Sequence, residues 1–176
     1  TICPPGSYSA MMGATECTPC EEGSLSVEDR TGCGTCEAGE YSFQALECRK
    51  CSAGTYAPRA QEDACLNCGP GSSTNNVTEG ATTCTPCDSG LYASGDANVV
   101  CSRCPPGEAS ASGQQSCVPC EPGKHSSTSG ASSCQLCATG KATSITGATK
   151  CDDCTPGRFQ GRSGASECDD CPATYF

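Results

Sequence analysis

The sequence predicts a small disulfide-rich fold: a tandem array of about ten 17-residue, disulfide-closed β-hairpin-like loops that form an elongated rod, with little regular secondary structure and no helices. Three observations predict it. Cysteine supplies 21 of the 176 residues, large apolar side chains are few (Trp 0, Phe 3, Tyr 5), and one pattern repeats along the chain. Because so little apolar area can be buried, covalent crosslinks have to replace the usual core.

The repeated pattern is a Cys, a Gly three residues later, an often aromatic residue two further on, a Ser/Thr/Ala/Gly-rich loop, and a Cys-x-x-Cys pair. The second Cys of that pair opens the next copy. Such regularity predicts a one-dimensional array in which each copy contacts its neighbours. We expect one continuous array over 1–176, a fragment of a longer protein, with copies at 3–17, 20–33, 36–48, 51–65, 68–84, 87–101, 104–117, 120–134, 137–151, 154–168 and a truncated one from 171.

Two glycine positions and a ring position characterise the repeat. The Gly three residues after the opening Cys is present in all ten complete copies and predicts a tight turn with positive φ. The ring position holds Tyr or Phe in six of eleven copies, and we expect the ring to cover the disulfide beside it. A second frequent Gly predicts the turn of a small hairpin; it is found at Gly13, Gly80, Gly113, Gly130, Gly147 and Gly164.

The cysteine frame favours pairing each opening Cys with the next closing Cys, although connectivity does not follow from sequence alone. The bonds would be Cys3–Cys17, Cys20–Cys33, Cys36–Cys48, Cys51–Cys65, Cys68–Cys84, Cys87–Cys101, Cys104–Cys117, Cys120–Cys134, Cys137–Cys151 and Cys154–Cys168. Cys171 would pair with a cysteine beyond the fragment, which explains the odd count.

Two alternative uses of the cysteines remain open at this point. Each Cys-x-x-Cys closing on itself would leave Cys3 alone and give strained, redox-active bonds. Pairs of Cys-x-x-Cys motifs also bind zinc, so ten pairs could hold five ions. The solitary Cys3, and the fixed Gly and ring between pairs, favour local disulfides over both.

Charge and composition exclude several functions. The net charge is −10 and the basic residues are dispersed, which argues against nucleic acids and anionic membrane surfaces as partners. No stretch is long and apolar enough for a membrane span. We expect no enzyme activity and no cofactor, because the one histidine, His125, occupies a ring position. Solvated charge is the default interpretation of Asp152-Asp153 and Asp169-Asp170, with Ca²⁺ coordination as the alternative.

The cysteine content indicates an oxidising compartment, so we expect an extracellular location, secreted or at the cell surface. Asn76-Val77-Thr78 is an N-glycosylation sequon in the longest copy. Ser- and Thr-rich loops such as Ser126-Ser127-Thr128-Ser129 are typical of O-glycosylated stalks. We therefore expect a glycoprotein.

The segments Cys3-Pro4-Pro5-Gly6-Ser7-Tyr8-Ser9 and Gly13-Ala14 to Cys17-Thr18-Pro19-Cys20 resemble the ephrin-receptor-like cysteine-rich repeats. Those repeats are similar in turn to the first small module of tumour-necrosis-factor-receptor repeats, and the resemblance covers the whole chain. It implies an extracellular, non-enzymatic, rod-like array and supplies no catalytic residues.

Two functions fit these observations. The first is a structural segment of an extracellular fibre, stalk, surface appendage or cell-wall or matrix glycoprotein that assembles with itself or packs with other extracellular proteins. The second is the ectodomain of a receptor or adhesin that binds a protein or glycan. A binding site would make one or two copies atypical, and the candidates are the second copy, Glu21 to Arg30, and the fifth, around Asn76.

Overall fold

The computed structural model describes residues 2–11 and 15–172, and every structural statement below concerns those residues. Thr1, Gly13, Thr174 and Phe176 lie outside them, so the turn predicted at Gly13 and the ring predicted at Phe176 are not described. The tandem architecture predicted from the sequence is confirmed: the described chain is a series of small antiparallel hairpins with no helix.

Ten two-stranded hairpins follow one another along the chain. In the first five, β1 (Ser7–Tyr8) pairs with β2 (Thr18–Pro19), β3 (Ser24–Ser26) with β4 (Cys33–Thr35), β5 (Glu40–Phe43) with β6 (Glu47–Lys50), β7 (Thr55–Tyr56) with β8 (Leu66–Asn67), and β9 (Ser72–Ser73) with β10 (Thr85–Pro86).

The second five keep the same spacing. There, β11 (Leu91–Tyr92) pairs with β12 (Ser102–Arg103), β13 (Glu108–Ala109) with β14 (Val118–Pro119), β15 (Lys124–His125) with β16 (Gln135–Leu136), β17 (Lys141–Ala142) with β18 (Asp152–Asp153), and β19 (Arg158–Phe159) with β20 (Asp169–Asp170). The first strand follows the opening-turn Gly, and the second strand contains the two residues between the closing Cys and the next opening Cys.

Sulfur forms the core of each copy. Disulfides join the opening and closing cysteines of every complete copy, from Cys3–Cys17 to Cys154–Cys168. The largest fully buried side chains are seven opening cysteines: Cys36, Cys51, Cys68, Cys87, Cys104, Cys120 and Cys137. Small Ala, Ser and Thr side chains complete the core, and the closing cysteines lie nearer the surface.

Backbone hydrogen bonds join consecutive copies in a recurring set of three. Between the seventh and eighth copies, the Gly107 amide donates to the Ser126 carbonyl (2.8 Å), Ser110 to Ala131 (3.2 Å), and Gly130 to Cys104 (2.8 Å). The second frequent Gly lies in a turn with positive φ at Gly113, Gly130, Gly147 and Gly164, as the predicted turn requires, and it also joins neighbouring copies. It lies in the long connection between the two strands and donates its amide to the preceding copy.

The same three hydrogen bonds recur between the third and fourth, the eighth and ninth, and the ninth and tenth copies. They join Gly39 to Ala57, Ser42 to Glu62 and Gln61 to Cys36; Gly123 to Thr143, Ser126 to Ala148 and Gly147 to Cys120; and Gly140 to Gln160, Thr143 to Ala165 and Gly164 to Cys137. Peptide groups make these bonds, so the loops can vary in side chain without breaking the repeat.

Several copies also approach the next copy but one closely. A Cβ on Gly107 (φ 87°) would lie 2.2 Å from the carbonyl oxygen of Gly147, two copies later. A Cβ on Gly39 (φ 88°) would lie 2.4 Å from the carbonyl oxygen of Gly80. Both the positive φ and this close approach require glycine, which explains why the opening turn keeps it.

The chain divides into two compact units. The first contains Thr1–Thr85 and Gly95–Val100, and the second contains Pro86–Ser94 and Cys101–Phe176. Within the first unit, residues 95–100 attach through the amides of Thr74 and Ala97, which donate to the carbonyls of Asn98 and Cys68 at 3.0 and 2.9 Å. The recurring hydrogen-bond set is present inside both units.

Candidate functional site

The sequon lies at the surface of the fifth copy. Asn76, Val77 and Thr78 are all exposed, and Asn75 and Asn76 both have positive φ (51° and 67°). The turn is fixed by the Thr74 hydroxyl, which donates to the Val77 carbonyl (2.9 Å), and by the Asn76 amide, which donates to the Val99 carbonyl (3.0 Å). The acceptor asparagine therefore stands on an ordered and accessible turn.

His125 contacts a disulfide that belongs to the following copy. Its Nδ1 lies 3.2 Å from Sγ of Cys151, which is bonded to Cys137. The ring position of the eighth copy thus covers the ninth disulfide and leaves its own, Cys120–Cys134, without this contact. The imidazole lies against a disulfide sulfur. No hydrogen bond of the described residues joins the ring to a hydroxyl or thiolate that could act as a nucleophile.

His125, Cys137 and Cys151 form the one group in the described residues with three metal-ligating side chains close together, their ligand atoms lying within 4.8 Å of one another. Both sulfurs are in a disulfide, and a metal ligand must be a thiolate. The group therefore offers one imidazole nitrogen to a metal while the bond is closed. The sulfurs of the other nine bonds are similarly withheld from zinc.

One aspartate of each acidic pair forms an ion pair with a basic residue across its hairpin. Lys141 faces Asp153 in the β17–β18 pair, with Nζ 2.6 Å from Oδ1. Arg158 faces Asp170 in the β19–β20 pair at 2.8 Å, and Lys150 lies 3.4 Å from Asp152. These cations compete with the Ca²⁺ coordination considered from the sequence.

Two other carboxyl groups have lowered pKa values. The Thr31 hydroxyl (2.7 Å) and amide (3.1 Å) donate to Asp29 and hold the pKa of that carboxyl below its ordinary value. A hydrogen bond from the Lys124 ammonium (2.8 Å) and its charge lower the pKa of Glu121. Both carboxyl groups are exposed and favour the ionised form, which does not suit a general acid.

The third copy carries an aromatic cluster that sequence reasoning missed. Its hairpin has four residues in each strand, and Tyr41 and Phe43 pack edge to face with ring centroids 6.4 Å apart. The guanidinium carbon of Arg49 lies 3.5 Å from the Phe43 ring centroid, and Arg49 also binds Glu47. The alternation of Tyr41 and Phe43 was the signal that could have indicated it. The second copy, singled out from the sequence, contributes to a groove described below.

Comparison with known proteins identifies the family. A family model described as tyrosine-protein kinase ephrin type A/B receptor-like matches residues 39–78 and 107–154. These two segments comprise half of the chain. The chain belongs to the ephrin receptor-like family. The predicted resemblance is thereby confirmed, and in this chain the matched segments are disulfide-closed copies of the repeat.

This ephrin receptor-like chain is similar to a part of two larger curated proteins. Both are named signal peptide, CUB and EGF-like domain-containing protein 3, from mouse and human, and each is 30% identical over 89 residues. The match covers 46% of this chain and 9% of each relative. With its many disulfides, the chain is an extracellular or cell-surface cysteine-rich module. Among the described residues there is no helix long and apolar enough to cross a bilayer.

Proposed function

We propose that this ephrin receptor-like array is a structural segment of an extracellular fibre, stalk, surface appendage, or wall or matrix glycoprotein. The observation that carries the proposal is the recurring set of backbone hydrogen bonds between consecutive copies. A repeat joined through peptide groups keeps its spacing whatever its loops contain, which suits a spacer or scaffold. The signal peptide in the relatives' names supports a secreted protein.

A non-enzymatic role is supported by the chemistry of the described side chains. The imidazole of His125 is engaged with a disulfide sulfur, and the carboxyl groups with resolved shifts, Asp29 and Glu121, have lowered pKa values. Neither arrangement supplies a base beside a nucleophile. The function proposed here therefore depends on spacing and surface contacts.

Native material tests the structural role. Electron microscopy is expected to show regular filaments, and small-angle X-ray scattering of the isolated chain is expected to give the skewed pair-distance distribution of the predicted rod. Single, knobbed particles in the micrographs, together with a symmetric distribution, would contradict the proposal.

N-glycosylation at Asn76 belongs to the same proposal, as do O-glycans on the Ser- and Thr-rich loops. The exposed sequon on an ordered turn supports the first, and the exposure of Ser127, Thr128 and Ser129 supports the second. Peptide mass spectra of secreted protein are expected to show hexosamine at Asn76 that Thr78→Ala removes. An unmodified Asn76 peptide in all of the material would contradict the glycan assignment and leave the structural role standing.

A second candidate function is a receptor or adhesin ectodomain that binds a protein partner, and the third copy favours it. Tyr41 and Arg49 are residue types enriched in binding hot spots, and the Phe43 ring packs against both. Leu46 beside them is 49% exposed. Binding of the labelled chain to cells of its source is expected to fall with Phe43→Ala under this alternative. The structural role predicts no change.

A further inference from the structure

Two open grooves, one in each compact unit, occupy equivalent places in the repeat. Each is lined by the ring-position residue of one copy and by the two residues between its closing Cys and the next opening Cys. In the first unit these are Tyr8, Thr18 and Pro19, and the groove has a volume of about 490 Å³. In the second unit they are Ala142, Asp152 and Asp153, and the groove has a volume of about 430 Å³. The two grooves thus share their place in the repeat, and the side chains that line each one determine what it can bind.

The first groove combines an aromatic ring with polar groups. Tyr8 is half-buried and lies opposite Thr18 in the β1–β2 pair. Glu21, directly after the opening cysteine of the second copy, supplies an exposed carboxylate. Hydroxyls of Ser24 and Thr35 line the same groove. The lining contains no Lys or Arg.

Gln61 completes this groove from the fourth copy. It occupies the place that the second frequent Gly holds in other copies, and its φ is positive (67°). Its backbone amide donates to the Cys36 carbonyl. Its side chain extends over the second copy, where Nε2 lies 3.4 Å from Glu21 Oε2 and 3.4 Å from the Glu22 carbonyl. These contacts are long for hydrogen bonds, so the side-chain amide of Gln61 can replace them with hydrogen bonds to a ligand.

We propose that this groove binds a neutral pyranose sugar. A sugar ring presents an apolar C–H face, which the Tyr8 ring can cover, and a rim of hydroxyls. The Glu21 carboxylate accepts hydrogen bonds from hydroxyls, and the Gln61 amide both donates and accepts. The volume lies in the range of small-ligand sites, about 300–1,000 Å³, and polar groups around one aromatic surface are typical of such sites. Glu21 disfavours an anionic sugar, because no cation lines the groove to offset its charge.

The second groove serves as a matched comparison. Its ring position is Ala142, and Lys141 engages Asp153 at 2.6 Å. Arg158 in its lining is engaged with Asp170. Its lining has no aromatic ring, and the charges of Asp153 and Arg158 are engaged in ion pairs, so this groove lacks the aromatic surface that the first offers to a sugar.

Ligand-observed saturation-transfer NMR tests the proposal. The probes are the methyl pyranosides of glucose, mannose, galactose and N-acetylglucosamine, with methyl glucuronide as the anionic comparison. The chain carries Asn76→Gln, so that a glycan of its own cannot compete. We expect at least one neutral probe to bind with a dissociation constant of about 1 mM or lower, and the glucuronide to bind at least about tenfold more weakly.

Variants assign any binding to the groove. Gln61→Gly restores the residue found at this place in other copies and suits its positive φ, so the fold is kept while the amide is lost. Tyr8→Leu removes the ring but keeps an apolar residue that the second copy has at the same position, Leu25. We expect each to weaken binding at least about tenfold, and Thr155→Ala in the second groove to leave it unchanged.

Two results would overturn the proposal: no binding by any of the four neutral probes, or binding that both groove variants leave intact. Either result would leave the structural role unaffected, because that role does not need the groove. A glycosylated chain that binds the probes only after enzymatic removal of its N-glycan would identify the chain's own glycan as the occupant. Equal binding before and after removal would exclude the chain's own N-glycan as the occupant.

Discussion

At the scale of single residues, the opening-turn glycines combine two constraints that substitutions can separate. Gly107 has a positive φ, and a Cβ there would meet the Gly147 carbonyl oxygen at 2.2 Å. Gly140 has a positive φ of 76°, but no atom of the described residues lies within 4 Å of its Cβ position. The two sites thus share the backbone requirement and differ in the steric one.

We therefore expect Gly107→Ala to be the more damaging change. Gly140→Ala carries only the left-handed backbone cost, about 1–2 kcal/mol, whereas Gly107→Ala also forces the ninth copy away. Hydrogen exchange measures the difference locally: the Gly130 and Ser110 amides, which join neighbouring copies, are expected to lose protection in Gly107→Ala. Equal losses of protection in the two variants would show that the close approach contributes nothing.

The Glu121–Lys124 pair gives a prediction about acidity. Since the Lys124 ammonium lowers the pKa of Glu121 through a hydrogen bond and its charge, Lys124→Met is expected to return that pKa upward to its ordinary value. Carbon-detected NMR titration of the side-chain carboxyl measures the shift. Asp29, whose pKa is lowered by Thr31 instead, is the internal control and is expected to stay unchanged. An unshifted Glu121 would contradict the assignment.

At the scale of the element, each hairpin is closed by one disulfide, and the closed loop is local. Cys104 and Cys117 are separated by 13 residues, and the buried Cys104 also accepts the Gly130 amide through its carbonyl. The bond therefore supports both its own hairpin and the contact with the following copy.

Removing that bond is expected to loosen a small group of copies. The double variant Cys104→Ser/Cys117→Ser loses about 3 kcal/mol of denatured-state restriction in the chain-entropy model, and a buried sulfur is replaced by a polar hydroxyl. Hydrogen exchange is expected to show lost protection in the seventh and eighth copies and unchanged protection in the third. The matched control is Cys171→Ser, because Cys171 has no disulfide partner among the described residues. Uniform loss along the whole chain would contradict the local role of the bond.

The sequence predicts the hairpins because their determinants are close in the chain. The opening Cys, its turn Gly and the Cys-x-x-Cys pair all lie within one period, so their spacing predicts a tandem array of closed loops. The spacing also predicts a turn at the second Gly, but it does not predict the hydrogen bond from that Gly to the Cys carbonyl of the preceding copy, because this partner is distant in sequence. His125 and Cys151 are 26 residues apart in the sequence, and their contact depends on packing between copies that no local sequence pattern encodes.

The candidate sites show the same limit. Copies two and five are the sequence's candidates for a binding copy, and that prediction stays untested. The third copy, which has the longest hairpin strands and the aromatic cluster, was not a candidate, because its features arise from alternation in a segment of only four residues. Gln61 becomes informative only once its side chain is seen to reach Glu21, 40 residues earlier. The acidic pairs indicated solvated charge or Ca²⁺, and the register that sets Lys141 opposite Asp153 was needed to find the ion pair.

At the scale of the whole molecule, stability is distributed along the array in short-range steps. The three backbone hydrogen bonds join the third copy to the fourth and each copy from the sixth to the tenth to its neighbour, whereas side chains such as Ser26 and Thr74 make some of the bonds between earlier copies. No large apolar core ties distant copies together in the described residues, because the most buried side chains are cysteines. Unfolding of such an array is expected to be graded along the chain, since each interaction is local.

Truncation tests how far one copy supports others. A chain of residues 1–153 keeps nine complete disulfide pairs and loses the tenth copy. The amides of Gly140 and Thr143 then lose their acceptors, the carbonyls of Gln160 and Ala165, and Gly123 loses its contact with Gly164. We expect exchange protection to fall at Gly140 and Thr143, with the third and fourth copies unchanged. A fall in exchange protection in the third and fourth copies as well would mean that the array folds as one cooperative body. Only coupling beyond next-but-one neighbours can transmit the destabilisation that far.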